Sequence, residues 1–152
     1  MSSVRFVFPK PRLAKLLKMP GGLPVAEALE RAQANLEMIR PTCLAELQAL
    51  LELTEARLEA MGREFDDEGM ADLYAIAVRG IGGGEVCGAP SVDLALTSLC
   101  DLLDHLRTTK RYDRPAISVH VQSWRMLMAM GRQPGAATVI DGLRQVSARY
   151  AA

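Results

Sequence analysis

Apolar residues recur at helical spacing along most of the chain. From Val25 they fall at Leu29, Ala32, Leu36 and Ile39, in steps of three and four, and run on through Leu44, Leu47, Leu50 or Leu51, Leu58 and Met61. That period predicts amphipathic helix with one face turned to a core. Pro41 lies inside the run; it lacks an amide hydrogen and disfavours helical geometry at Arg40, so a break or a kink is expected there. Two consecutive helices and one bent helix fit equally well.

Asp66 and Asp67 supply an N-cap and first-turn negative charge for a helix that buries Met70, Leu73, Ile76 and Ala77 and is closed by glycines near residue 80. After Pro90 the next helix takes Ser91 as N-cap and places Val92, Ala95, Leu99, Leu102, Leu103 and Leu106 on one side. Asp113, Arg114 and Pro115 open a further helix whose inward set is Ile117, Val121, Trp124, Leu127 and Met128. A last helix runs from about Ala136 to Tyr150 and buries Val139, Ile140, Leu143 and Val146. The one alternating stretch, Ile117 to Val121, sits inside a stronger helical pattern, so no strand is predicted. The expected fold is all-α: an antiparallel four-helix bundle with extra N- and C-terminal helical segments and short connections.

Pro9, Pro11, Pro20, Gly21, Gly22 and Pro24 punctuate the start of the chain and leave room for a short helix from Arg12 to Lys18 at most. Residues 1–24 therefore read as an arm and residues 25–152 as a single helical domain. The arm is basic: Arg5, Lys10, Arg12, Lys15 and Lys18 meet no acidic residue before Glu27, the stretch from Glu27 to Asp72 is rich in Glu and Asp, and the last third turns basic again. The total is neutral, with 18 basic and 18 acidic residues, and only Phe6 and Phe8 are interleaved among the arm's cations. Both facts argue against dedicated nucleic-acid binding; the arm is expected to be solvated or to dock on its own domain.

With 152 residues, 49% hydrophobic and 24% charged, the chain fits one ordinary domain and excludes a disordered or fibrous one. The longest apolar run, Leu73 to Val78, is six residues, far short of the roughly 20 that span a bilayer. No signal peptide heads the sequence, so no membrane insertion and a cytoplasmic location are expected. Cys43, Cys87 and Cys100 are odd in number and lack metal-ligand spacing, which reads as buried thiols with neither a disulfide framework nor a zinc site. No metal or organic cofactor is indicated. Two histidines and three tyrosines leave little material for acid–base or nucleophilic catalysis, which favours binding over enzymatic activity.

The segment GIGGGEVCG, Gly80 to Gly88, has the glycine density of a phosphate-binding loop but follows a helix and carries Glu85 and Val86 where a Walker loop needs Lys and Ser or Thr. Its glycines are better read as ending one helix and letting the chain approach a neighbour closely.

The surrounding sequence, IAVRGIGGGEVCGAP followed by SVDLALTSLCDLLDHL, resembles histidine-containing phosphotransfer (Hpt) domains of bacterial phosphorelays. The likeness is particularly to a subgroup reading roughly IAHDIRGQGGTFGYP, with SLC-x-LLD in the next helix. Ile76, Ala77, Gly82, Gly84, Gly88 and Pro90 fall on matching positions without a gap, as do Ser98, Leu99, Cys100, Leu102, Leu103 and Asp104. The likeness covers about thirty residues and implies a four-helix bundle. Val78 stands at the position of the phosphorylated histidine; a second register puts Ile76 there, and neither side chain is a phosphoacceptor. More loosely, the PGG at Pro20 to Gly22, EALERAQANLEMIR at Glu27 to Arg40, SLCDLLD and SVHVQSWRML from Ser118 are similar to the CheE family of alphaproteobacterial chemotaxis proteins. That likeness implies an accessory part in chemotaxis signalling.

These resemblances imply a non-catalytic signalling adaptor, a pseudo-phosphotransferase that binds a response-regulator receiver domain or a histidine kinase of a two-component pathway. Val78, Arg79, Gly82 and Arg107 are expected on or beside the docking surface. Two alternatives stay open. His105, four residues after Asp101 and able to pair with it, or His120, four before Trp124, is the acceptor of an active phosphotransfer protein; or the chain is a helical scaffold or homodimer unrelated to phosphorelay. Met126, Met128 and Met130 with Trp124 offer a groove for a partner helix, or ordinary core packing.

Overall fold

Pro41 does not break the first helix. In the computed structural model, which describes residues 21–150, helix α1 runs from Val25 to Ala60 with Pro41 inside it. A proline removes one amide donor from the ladder, and here Leu47, Leu50, Leu51, Thr54 and Leu58 are buried on the following turns and hold the helix. The buried Thr54 hydroxyl donates to the Leu50 carbonyl at 2.8 Å, so it is not left unpaired. The chain divides into two compact units, Met1–Asn35 and Leu36–Ala152. Most of the arm expected over residues 1–24, including its basic residues and the short helix Arg12 to Lys18, lies outside the described residues.

In the second unit, α2 (Asp67–Gly80) begins where expected: the Asp66 side chain accepts the Gly69 amide at 3.0 Å. It buries Met70, Leu73, Ile76 and Ala77. A single turn, α3 (Gly83–Val86), leads to α4 (Pro90–Thr108). Ser91 is not the cap of α4; Pro90 occupies the first helical position and Ala89 the cap, which makes no side-chain hydrogen bond. Proline suits that position because its missing amide has no helical partner there.

Helix α4 is central. It packs against α2, α3, α5 (Arg114–Met130) and α6 (Ala136–Ala148) and buries Val92, Leu96, Leu99, Leu102, Leu103 and Leu106. Each such leucine contributes about 1.5–3 kcal/mol by leaving water. Asp113 caps α5 by accepting the Ala116 amide at 3.0 Å, with Pro115 in the first turn. Ile117, Val121, Trp124 and Leu127 face inward as expected, but Met128 is only half-buried and His120 and Ser123 take inward places. In α6, Ile140 and Leu143 are buried while Val139 and Val146 are half-buried. Among the described residues the fold is an all-helical bundle with no strand, and the stretch Ile117 to Val121 is helix.

The charge bands meet one another. Basic residues of α2, α4, α5 and the turn after it reach acidic residues elsewhere: Arg79 to Glu46, Arg107 to Asp67, Arg114 to Glu59, Arg125 to Glu55 and Arg132 to Glu85. These pairs are largely exposed, so each adds little stability. Three of them, Arg107–Asp67, Arg114–Glu59 and Arg125–Glu55, join the late basic band to the middle acidic one.

Candidate functional site

The glycine-rich turn is built around a carboxylate of its own chain. Asp93, in the first turn of α4, accepts the amides of Gly82 and Gly84 on Oδ1 and of Glu85 on Oδ2, each at 2.9 Å. Successive amides converging in this way form an anion-binding concavity, and here Asp93 fills it. Gly82 stands at φ +93°, a left-handed conformation that favours glycine. A Cβ on Gly84 would lie 2.7 Å from the Ala89 carbonyl oxygen and 2.9 Å from the Asp93 carboxylate. The glycines thus serve close approach, and the part that sequence reasoning missed is Asp93. An acid in the first turn of a helix that follows a glycine loop is the signal that points to it.

This turn sets the end of α2, where Val78 lies. Val78 is 44% exposed, and Tyr74 and Ile81, one turn to either side, are exposed as well. The row arises because Leu73, Ile76, Ala77 and Gly80 turn the other face of α2 into the core. Arg79 adjoins it and pairs with Glu46 of α1 at 3.0 Å. Gly82 follows, its amide held by Asp93.

Arg107 belongs to the other end of α2. Its Nε and Nη2 donate to Oδ1 and Oδ2 of Asp67 at 2.9 and 3.2 Å, and the guanidinium holds the Asp67 carboxyl below the usual range. Eleven residues separate Asp67 from Val78, about 16 Å along a helix. The structure therefore groups Val78, Arg79 and Gly82 and sets Arg107 apart.

The two histidines differ in kind. His120 is 1% exposed; its Nδ1 donates to the Ala116 carbonyl at 2.9 Å, while Nε2 lies 3.0 Å from Ser98 Oγ and 3.3 Å from Ser147 Oγ. With Nδ1 as donor, Nε2 accepts from a hydroxyl. Burial pushes the His120 pKa down, against a smaller upward pull from the Ala116 carbonyl. His105 is exposed, and its Nδ1 donates to the Asp101 carbonyl at 2.7 Å; the expected partner was right, but it contributes its backbone oxygen. His105 lines a groove of about 370 Å³ between α4 and α6, together with Leu94, Ser98, Asp101, Ile140 and Arg144.

The thiols and methionines are also sorted. Cys100 is buried and its thiol is pushed up to about 11, chiefly by burial, whereas Cys43 and Cys87 are only half-buried. Trp124 is wholly buried and does not line a groove; Met128 does, together with Pro41, Leu44, Ala45, Gln48, Arg125 and Ala129, while Met126 is exposed. Among the described residues no three His, Cys, Asp or Glu side chains are grouped to hold a metal ion, and no helix is long and apolar enough to cross a membrane. Compared with protein-family models, curated proteins and solved structures, the chain finds no match.

Proposed function

We propose that the chain is a non-catalytic, Hpt-like signalling adaptor that binds a receiver domain or histidine kinase of a two-component, chemotaxis-type pathway and modulates phosphotransfer. The observation that carries this reading is the exposure of Val78 between Tyr74 and Ile81. At the place where the resemblance puts a phosphoacceptor, the helix offers solvent an apolar row. Such a row can bury area against a partner but has no imidazole nitrogen to take a phosphoryl group. Occupying the receiver in this way would exclude a true phosphodonor, so binding alone would tune the signal. Arg79 extends the row with a cation suited to an acidic pocket, and Gly82 keeps the adjoining turn free of a side chain. Arg107, some distance away, would act only at the edge of a large interface.

The exposed imidazole of His105 favours a second reading. Its Nδ1 is held by the Asp101 carbonyl, which leaves Nε2 as the nucleophile of an active phosphotransfer protein. His120 is less suited, since both its nitrogens are engaged in the interior. A helical scaffold without phosphorelay partners is the remaining alternative.

The test is pull-down and phosphotransfer with the chemotaxis kinase and receivers encoded by the same organism. The adaptor reading expects binding without label, at least tenfold weaker in Val78→Asp and weaker in Arg79→Glu. Acid-labile label lost in His105→Gln would replace it with the second reading. Absence of both binding and label would leave the scaffold.

A further inference from the structure

Arg40, Cys43 and Leu47 follow one another on α1 at steps of three and four, so they share one face of the helix. Both ends of that face rest on the glycine-rich turn. Leu47 packs on Gly83, where a Cβ would lie 3.1 Å from the Leu47 Cγ, and Arg40 Nε donates to the Val86 carbonyl at 3.1 Å. Moving back along α1 therefore runs forward along the turn. In that antiparallel register Cys43, four residues before Leu47, comes opposite Cys87, four after Gly83. The turn is helical here, with the Cys87 amide bonded to the Gly83 carbonyl at 3.0 Å, so Gly83 and Cys87 lie on one face as Leu47 and Cys43 do. Gly83 carries no side chain, which lets the two backbones come close. Electrostatics agree with this placement: burial is the chief cause raising the Cys87 thiol above its ordinary value, the nearness of Cys43 adds to it, and the Arg40 guanidinium opposes it.

We propose that Cys43 and Cys87 form a modification site, a thiol pair that hydrogen peroxide oxidises to a reversible disulfide. Both are half-buried, whereas Cys100 is buried in α4. One thiolate attacks a peroxide oxygen; the O–O bond breaks, a water leaves and that sulfur is left as a sulfenic acid. The second thiolate attacks the same sulfur, the S–O bond breaks, the hydroxyl departs as a second water and the S–S bond forms. The two thiols together lose two protons and two electrons, and the peroxide takes both to become water. Cys43 lines a groove of about 330 Å³ with Glu46, Leu47, Arg79 and Gly83, which admits so small an oxidant, and the Arg40 cation favours the thiolate. A disulfide requires Cα atoms within about 7 Å, which is what the close seat of α1 on Gly83 provides for. The bond would tie α1 to the turn whose amides Asp93 holds. It stands whether or not the Val78 end of α2 binds a receiver.

The experiment is intact-mass measurement and peptide mapping of the full, reduced chain after treatment with hydrogen peroxide, in native buffer and in urea, beside Cys100→Ser. The expected result is a monomer lighter by two hydrogens, with a Cys43–Cys87 cross-linked peptide that dithiothreitol releases and that Cys100→Ser retains. The cross-link should form about tenfold faster in the native chain than in urea, because the fold holds the two sulfurs together. An unchanged mass overturns the proposal, as do sulfinic acids without a cross-link. So does a cross-link that uses Cys100, that joins two chains, or that forms equally fast in urea. The parent chain alone decides among these outcomes, so the proposal stays falsifiable even where Cys100→Ser does not fold.

Discussion

The carboxylate of Asp93 lies 2.9 Å from the amide nitrogen of Gly82, across the turn that joins α2 to α4. The same side chain takes the Gly84 and Glu85 amides, so one residue satisfies three donors that neither helix can. Removing it should be costly for a partly exposed side chain. Asp93→Ala is expected to lose about 2 kcal/mol, since bonds to a charged acceptor are worth roughly 1.5–3 kcal/mol and water compensates in part. Asp93→Asn, which keeps an acceptor oxygen, should lose about half as much. Urea unfolding of both variants reads this. A loss below about 0.5 kcal/mol in Asp93→Ala would mean that the turn holds without its latch.

His120 should make stability depend on pH. Its folded pKa lies below the ordinary 6.5, so the unfolded chain binds its proton first. The contribution is complete above pH 6.5 and is lost as pH falls toward the lowered value. Asp67 and Asp113, both held below 3.8, act in a separate window: their contributions are present above pH 3.8 and are lost only at lower pH. Unfolding free energy measured from pH 7.5 to 5 should decline, and His120→Gln should flatten the slope. An equal slope in the variant would place the effect elsewhere.

Asp113 ties two helices together. It caps α5 through the Ala116 amide and accepts the Tyr150 hydroxyl at 2.5 Å; that hydrogen bond is the chief cause of the low Asp113 pKa and the high Tyr150 pKa. Tyr150→Phe should cost about 1 kcal/mol and Asp113→Ala about 2 kcal/mol, the second losing cap and link together. The double variant should resemble Asp113→Ala alone; strict additivity would show that the hydroxyl contributes through something other than this carboxylate.

The three thiols should separate by alkylation rate. Cys100, buried with its thiol at about 11, should resist iodoacetamide at pH 8 until the chain unfolds, while Cys43 and Cys87, half-buried, should react in the native state. Mass spectrometry of the modified peptides checks the order, and early labelling of Cys100 would contradict its burial.

The helices were legible because each buries a stripe whose period shows in the sequence. Leu99, Leu103 and Leu106 announce α4 as clearly as their burial confirms it. Burial itself was less legible. The stripe through Leu29, Leu36 and Ile39 has the spacing of the one through Leu47, Leu50 and Leu58, yet only the latter is covered, because periodicity shows which face is apolar and not what packs on it. Caps failed where tertiary geometry overrode local preference: Ser91 has the right chemistry, but Pro90 already starts the helix and Asp93 turns back to the preceding loop. Of the expected site, Val78, Arg79 and Gly82 sit together because they are neighbours on one helix end. Arg107 parted from them because helix length, not residue type, decides which end it reaches.

The Asp93 latch also sets an order of events in time. Its three bonds span eight to eleven residues, and a loop of that size closes in about 10–100 ns. The pairing of Tyr150 with Asp113 spans 37 residues and that of Arg125 with Glu55 spans 70, so these must wait for longer loops to close at greater entropic cost. The turn between α2 and α4 is thus able to form from its own local contacts, whereas the far end of the same helix pair, Arg107 on Asp67, spans 40 residues and closes with the long loops.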